Sequence, residues 1–278
     1  MLTRIITAIV AIAVFLPVLW FSDTVVFAAV LALLSLVAVL EMLRCTSLWR
    51  KWAITVPTCV LAVAFPLMTF WLTREETEHY AVLAVLIGLI CVFAVMTFSR
   101  GKLTLSDASV SFMSCLYIIA AFCAMGLLRY ATEQGAYVYL ICFIGAWVTD
   151  TFAYFTGRFF GKHKLIPDVS PKKTIEGSVG GTLFCIGAML LYGYIVSVVS
   201  DGDITANYLM LGVSGLFVSI VSQVGDLLMS AIKRTYGVKD YGKLFPGHGG
   251  VLDRFDSVMA VALVLYVITA VTGLFTVA

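Results

Sequence analysis

The sequence predicts an all-α, polytopic integral membrane protein with about nine transmembrane helices and a cytoplasmic N-terminus. Three observations carry this expectation. Of 278 residues, 62% are hydrophobic and 12% charged, with a mean hydropathy of +1.04; soluble domains hold roughly 45–50% apolar residues. Several apolar runs approach or exceed the roughly 20 residues that cross a bilayer as a helix, and they do not alternate as barrel strands would. The basic residues fall almost entirely on one side of the resulting topology. The net charge of +2 carries no nucleic-acid signature, and no nucleic-acid partner is expected.

In chain order, spans are expected at about 4–21, 24–43, 52–72, 79–98, 110–128, 136–157, 178–199, 207–229 and 256–277. The first begins after Arg4 and resembles a signal sequence only superficially, because no polar mature domain follows it. A tight turn at Ser22-Asp23 joins it to the second. Pro57 and Pro66 in the third remove backbone donors and predict a kink or tilt. With the N-terminus inside, 16 of the 18 basic residues are cytoplasmic. They are Arg4, Arg44, Arg50, Lys51, Arg100, Lys102, Arg158, Lys162, Lys164, Lys172, Lys173, Lys233, Arg234, Lys239, Lys243 and Arg254. Only Arg74 and Arg129 face outward, among Glu75, Glu76, Glu78, Glu133, Asp201 and Asp203. Asymmetry this strong follows the positive-inside rule. An odd number of spans leaves the C-terminus outside.

Residues 1–130 read as a transmembrane scaffold. Within them, Glu41 sits near a span end, either at the interface beside Arg44 or in a functional role. The seven cysteines lie in apolar segments without C-x-x-C spacing or a nearby histidine, which argues against a disulfide framework or a zinc site. Residues 131–278 read as the catalytic region, with two polar clusters at 150–178 and 226–256. Together these clusters hold half of the chain's charges in about a fifth of its length.

In the first cluster Asp150 lies inside the sixth span, where an intramembrane carboxylate costs about 2.5–3.5 kcal/mol at the centre and so implies either an internal ion pair or a job. Tyr154 follows one turn later on the same face. Gly157 and Gly161 form a G-x-x-x-G, a spacing that also serves close helix packing. Ser170, Lys172, Lys173, Thr174, Glu176 and Gly177 then lead into the seventh span. Lysines, hydroxyls and glycines before a helix N-terminus suit an anion cradle. Positive-inside pressure alone would also place lysines there.

In the second cluster Asp226, Ser230 and Lys233 share one helix face at i, i+4 and i+7. Asp253 and Asp256 share another at the start of the ninth span. Carboxylates from two helices with basic groups between them suit Mg²⁺ held against polyphosphate. His248 stands in the glycine-rich turn Pro246-Gly247-His248-Gly249-Gly250, where it could make a structural hydrogen bond or a phosphate contact.

At these residues the chain resembles the phosphatidate cytidylyltransferase family, also called CDP-diacylglycerol synthase. The resemblance rests on Ser230, Lys233-Arg234, Lys239-Asp240, Pro246, His248-Gly249-Gly250, Asp253-Arg254 and Asp256. Upstream it rests on Asp150-Thr151, Ala153-Tyr154, Gly157, Gly161-Lys162, Ser170 to Thr174 and Glu176-Gly177. Ile175 departs from it, since relatives often carry an aromatic there. The match is dense over about residues 140–257 and rests on hydropathy and length before that.

The resemblance implies transfer of CMP from CTP to phosphatidate, giving CDP-diacylglycerol and pyrophosphate. It implies Mg²⁺, with a monovalent cation such as K⁺ as a candidate, and a homodimer in a bacterial inner membrane with its active site facing the cytoplasm. Asp226, Lys233, Asp253 and Arg254 are the expected catalytic residues, and Asp226, Asp253 and Asp256 the expected metal ligands. Lys172, Lys173 and the glycines up to Gly181 would hold the CTP triphosphate. Lys233, Arg234 and Lys239 would clamp lipid phosphate or leaving pyrophosphate. Asp150 and Tyr154 would position nucleotide or a second cation. Ser170, Thr174, Glu176, Gly177, Ser230, Asp240, His248, Gly249 and Gly250 complete the expected substrate site. Two rivals remain: a CTP-dependent lipid kinase releasing CDP, and a secondary transporter using Asp150 and Asp226 as coupling carboxylates.

Overall fold

The computed structural model describes residues 2–100, 103–132 and 134–277. Lys102 and Glu133, counted in the charge asymmetry above, lie outside them, as does the side chain of Arg4. The described chain is mostly helical and divides into two compact units. One comprises residues 1–131 with 236–254, the other 132–235 with 255–278. The loop carrying Lys239 to Arg254 groups with the N-terminal helices.

In the first unit, α1 (Leu2–Trp20), α2 (Val25–Cys45), α3 (Trp52–Met68), α4 (Arg74–Phe98) and α5 (Leu105–Tyr130) follow one another in the chain. The starts of α2, α4 and α5 are marked by hydroxyl caps, which satisfy amides that have no intrahelical partner. Thr24 accepts from Val26 N, and Thr73 and Thr104 form capping boxes with Glu76 and Asp107. Helix α2 is central, packing against α3 and α5. It buries Phe27, Leu31, Met42 and Leu43. Helix α4 buries only Thr77 and exposes Val82, Leu86, Ile90 and Phe93. An exposed apolar helix of this length is stable in lipid rather than in water.

In the second unit a short helix α6 (Gly135–Val138) precedes α7 (Leu140–Phe160). A β-hairpin of β1 (Lys164–Ile166) and β2 (Ser170–Thr174) leads into α8 (Ile175–Val199). Pro167 and Asp168 occupy the hairpin turn, closed by Val169 N donating to Ile166 O at 3.3 Å, as suits Pro at the second turn position. Strand β3 (Ile204–Ala206), α9 (Tyr208–Thr235), α10 (Leu252–Val271, whose first three residues group with the first unit) and β4 (Phe275–Val277) complete the chain. Helices α7, α8 and α9 pack mutually, and β3 pairs antiparallel with β4.

Among the described residues seven helical segments are long and apolar enough to cross a membrane, and α1 and α3 provide two shorter apolar stretches. The chain is an all-α polytopic membrane protein. Two details differ from expectation. The last helix ends at Val271, not near 277, because Phe275–Val277 pairs its backbone with β3 instead. The lysine-bearing segment before α8 is a β-hairpin rather than an open loop, because Pro167 turns the chain back on itself.

Candidate active site

Within the second unit the hairpin, α9 and the later part of α10 converge on carboxylates. Lys173, on β2, reaches Asp226 of α9: Nζ stands 2.6 Å from Oδ2. Lys173 Nζ also donates to Gln223 O at 3.5 Å. Ser230, one turn along α9, donates to Asp226 Oδ1 at 3.3 Å. Asp226 is preceded by Gly225, and this glycine sets the helix spacing. A Cβ there would lie 2.6 Å from Ala260 Cβ and 2.8 Å from Asp256 O. Backbones this close bring the acids flanking the contact together. Asp256 lies within electrostatic reach of Asp226, Asp150 and Lys233. Ser257, the next residue of α10, ties Asp150 to that helix, donating from Oγ to Asp150 Oδ2 at 2.9 Å.

Three aspartates from three helices are thus grouped with Lys173, Lys233, Ser230 and Ser257. Sequence reasoning misses Ser257. Its signal is weak: a single hydroxyl following Asp256 at the start of an apolar run.

The hairpin holds the lysines by its own hydrogen bonds. Glu176, in the first turn of α8, accepts from the amides of Lys162 and His163 at 3.0 and 3.2 Å, and His163 Nδ1 lies 2.6 Å from it. Thr174 caps α8 by accepting from Gly177 N at 3.1 Å. Arg234 Nε donates to Val169 O at 3.5 Å, and Lys164 Nζ to Pro171 O at 2.7 Å. Ser170 begins the strand, and Lys172 is exposed beside Lys173. Gly177 is spent on helix packing: a Cβ would lie 2.6 Å from Ala153 O and 3.1 Å from Gly157 Cα. Tyr154 is exposed, and its hydroxyl accepts from Arg158 Nη1 at 3.1 Å.

The remaining residues of interest belong to the first unit. Asp253 is buried, and its Oδ2 accepts from Tyr241 N at 2.8 Å and Gly250 N at 2.9 Å. Arg254 Nε donates to His248 O at 2.9 Å. Gly249, at φ +88°, lies so close to Asp253 that a Cβ would approach Oδ2 to 2.7 Å, a position suited to glycine alone. The buried Nδ1 of His248 has no hydrogen-bond partner among the described residues. Lys239 and Asp240 are exposed.

Hard carboxylate oxygens beside ammonium groups are the donor chemistry that Mg²⁺ and phosphate require. Among the described residues no group of three or more His, Cys, Asp or Glu side chains is placed to hold a metal ion. A magnesium ion sharing its coordination with substrate phosphates takes only one or two carboxylates from protein, so the set fits that ion.

Carboxylates and cations gathered at the ends of apolar helices suit a membrane-embedded site that handles phosphate esters. The chain belongs to the cytidylyltransferase family, whose model matches residues 2–272. It is 35% identical over 272 residues to the phosphatidate cytidylyltransferase of Staphylococcus haemolyticus, covering 96% of this chain and 98% of that one. Proteins of the same name from Staphylococcus epidermidis and Staphylococcus aureus are 37% and 36% identical over 275 residues, with the same coverage. The likeness therefore extends through the N-terminal helices, well beyond the motif-rich region.

Proposed function

We propose that this chain transfers the cytidylyl group of CTP to phosphatidate, giving CDP-diacylglycerol and pyrophosphate. The observation that carries the reading is the Lys173–Asp226 pair at 2.6 Å, set beside Asp256 and Asp150 where α9 meets α10. This chemistry needs cations to gather two polyanions and carboxylates to hold a divalent ion among their phosphates.

A phosphatidate phosphate oxygen attacks the α-phosphorus of CTP. A new P–O bond forms, the α–β bridging P–O bond breaks, and its electron pair leaves on pyrophosphate. The attacking oxygen is already ionised near neutral pH, so no general base is required. The protein's task is alignment and charge neutralisation. Lys172 and Lys173 on the hairpin hold the triphosphate. Lys233, Arg234 and Lys239 draw the lipid phosphate or the leaving pyrophosphate, and the orphaned His248 Nδ1 is a further phosphate contact. Asp226, Asp253 and Asp256 would be the Mg²⁺ ligands, with Asp150 as a further candidate. When bound, the ion neutralises phosphate charge and polarises the P–O bonds under attack.

Phosphatidate keeps its acyl chains in lipid, so its phosphate reacts near the headgroup plane. The site therefore lies at the cytoplasmic face of a bacterial inner membrane, with nine spans and the N-terminus inside. A homodimer is part of the same expectation.

The test is product identification with purified protein, phosphatidate, Mg²⁺ and CTP labelled at the α or γ phosphorus. Label from the α position should enter lipid as CDP-diacylglycerol, and γ label should leave as pyrophosphate. Transfer of γ label to lipid with release of CDP would make the chain a lipid kinase. Intact CTP with no lipid product would refute the assignment.

A further inference from the structure

The first unit contains a carboxylate that the reaction above does not use. Glu41 lies on α2 within an apolar stretch and is 4% exposed. A buried carboxylate is costly unless its oxygens are hydrogen-bonded. Here two consecutive amides meet it: Val251 N donates to Oε1 at 3.1 Å and Leu252 N to Oε2 at 2.9 Å. Gly242 and Gly250 close the cradle, since a Cβ on either would run into the Glu41 carboxylate. One side chain of α2 thereby meets Gly242 and the far end of the loop that follows α9.

That loop carries residues assigned to the reaction. The amides of Gly250, Val251 and Leu252 are divided between two acids. Gly250 N goes to Asp253, which also takes Tyr241 N, and the next two go to Glu41. Within the loop, Phe245 N donates to Gly249 O at 2.9 Å, and His248 O holds Arg254 Nε. The loop is internally braced, and Glu41 is a braced point outside it.

We infer that Glu41 is a positioning residue for cytidylyl transfer: its paired amide contacts lock the Tyr241–Asp253 loop onto α2 and so orient Asp253 and Arg254. This rests on the function proposed above. Glu41 itself acts through the loop and contacts no substrate. The chemistry of the cradle is selective. Glutamine preserves the shape but turns an NH₂ toward a backbone N–H, donor against donor. Aspartate keeps two acceptors with a shorter reach.

The experiment compares full-length wild type, Glu41→Gln and Glu41→Asp in the same detergent–lipid micelles. It measures kcat, KM for CTP, thermal unfolding, and hydrogen exchange of peptides covering residues 241–253. Glu41→Gln should speed exchange at Gly250 to Leu252. It should lower kcat about 10- to 100-fold, the scale of a misplacement near 1 Å, while KM for CTP moves less than about threefold. Glu41→Asp should recover part of both effects. Gly242→Ala, which puts a methyl against the Glu41 carboxylate, should reproduce the loss and serves if Glu41→Gln does not fold. A folded Glu41→Gln or Gly242→Ala with wild-type kcat overturns the inference, as does unchanged loop exchange. If wild type itself made no CDP-diacylglycerol, the proposed function would fall. The exchange measurement would still decide whether Glu41 locks the loop.

Discussion

Replacing Asp226 by asparagine should separate stability from turnover. Asp226 Oδ2 lies 2.6 Å from Lys173 Nζ, with both side chains about a quarter exposed, and Oδ1 accepts from Ser230. Asparagine keeps the shape and a carbonyl acceptor but removes the charge. The lost charge-assisted contact is worth about 1.5–3 kcal/mol, toward the lower figure because solvent reaches the pair. Against this loss, Asp256 is relieved of a like charge. The two effects oppose, so net stability should change by less than about 2 kcal/mol. Turnover has no such compensation. Loss of one preorganised electrostatic group costs about 10²–10³ in rate, and loss of a metal ligand should cost at least that. The assay is CDP-diacylglycerol formation by purified protein at saturating CTP and Mg²⁺, beside a thermal unfolding curve. A folded Asp226→Asn enzyme turning over within about threefold of wild type would refute the carboxylate assignment.

Two further positions assigned to the reaction can be tested by substitution. Asp253→Asn can present its carbonyl oxygen to both Tyr241 N and Gly250 N, so it should fold normally yet lose about 10²-fold or more in turnover. Asp253→Ala leaves two buried amides unpaired at about 1–3 kcal/mol each, and its unfolding midpoint should fall clearly below that of Asp253→Asn; equal midpoints would deny the capping role. Lys172→Ala removes an exposed ammonium expected at the triphosphate. Half-saturating CTP should rise about tenfold, the equivalent of about 1.4 kcal/mol, with kcat nearly unchanged, and an unaltered CTP requirement would remove Lys172 from the cradle.

Much of this arrangement is legible in the amino-acid sequence, for identifiable reasons. Span positions follow from apolar run length, and the grouping of Asp226, Ser230 and Lys233 follows from helical periodicity. What periodicity cannot see is contact between distant segments. Ser257 on Asp150 and Val251 on Glu41 join residues more than 100 positions apart, and nothing local marks either pair. The glycines before and within α8 are ambiguous for the same reason. A small residue preceding a helix reads equally as a phosphate contact or as a packing surface, and only the neighbouring backbone decides. At Gly177 that neighbour is Ala153 O. The hairpin before α8 is hidden because Ser170 to Thr174 is polar and contains Pro171, a poor strand signature; its turn at Pro167-Asp168 is the available clue.

The packing of α7 against α8 can be tested with an internal control. A Cβ on Gly177 would lie 2.6 Å from Ala153 O, 2.9 Å from Thr174 Oγ1 and 3.1 Å from Gly157 Cα. Two of these atoms are backbone and cannot swing away, so Gly177→Ala must move the start of α8. Overpacking of this kind costs about 1–3 kcal/mol. Lys173 lies four residues upstream, at the end of the hairpin that delivers it to Asp226 within 2.6 Å. If a misplacement of about 1 Å costs about 10²-fold in rate, a shift of half that should cost about tenfold. Gly187, on the same helix, has nothing within 4 Å of its ideal Cβ. Gly187→Ala should therefore leave turnover unchanged and stabilise the helix by up to about 1 kcal/mol. The two variants make the same chemical change ten residues apart, and they differ chiefly in the contacts that a Cβ at Gly177 makes with α7 and Thr174. Indistinguishable unfolding midpoints and turnover for the pair would mean that close α7–α8 packing does not place Lys173.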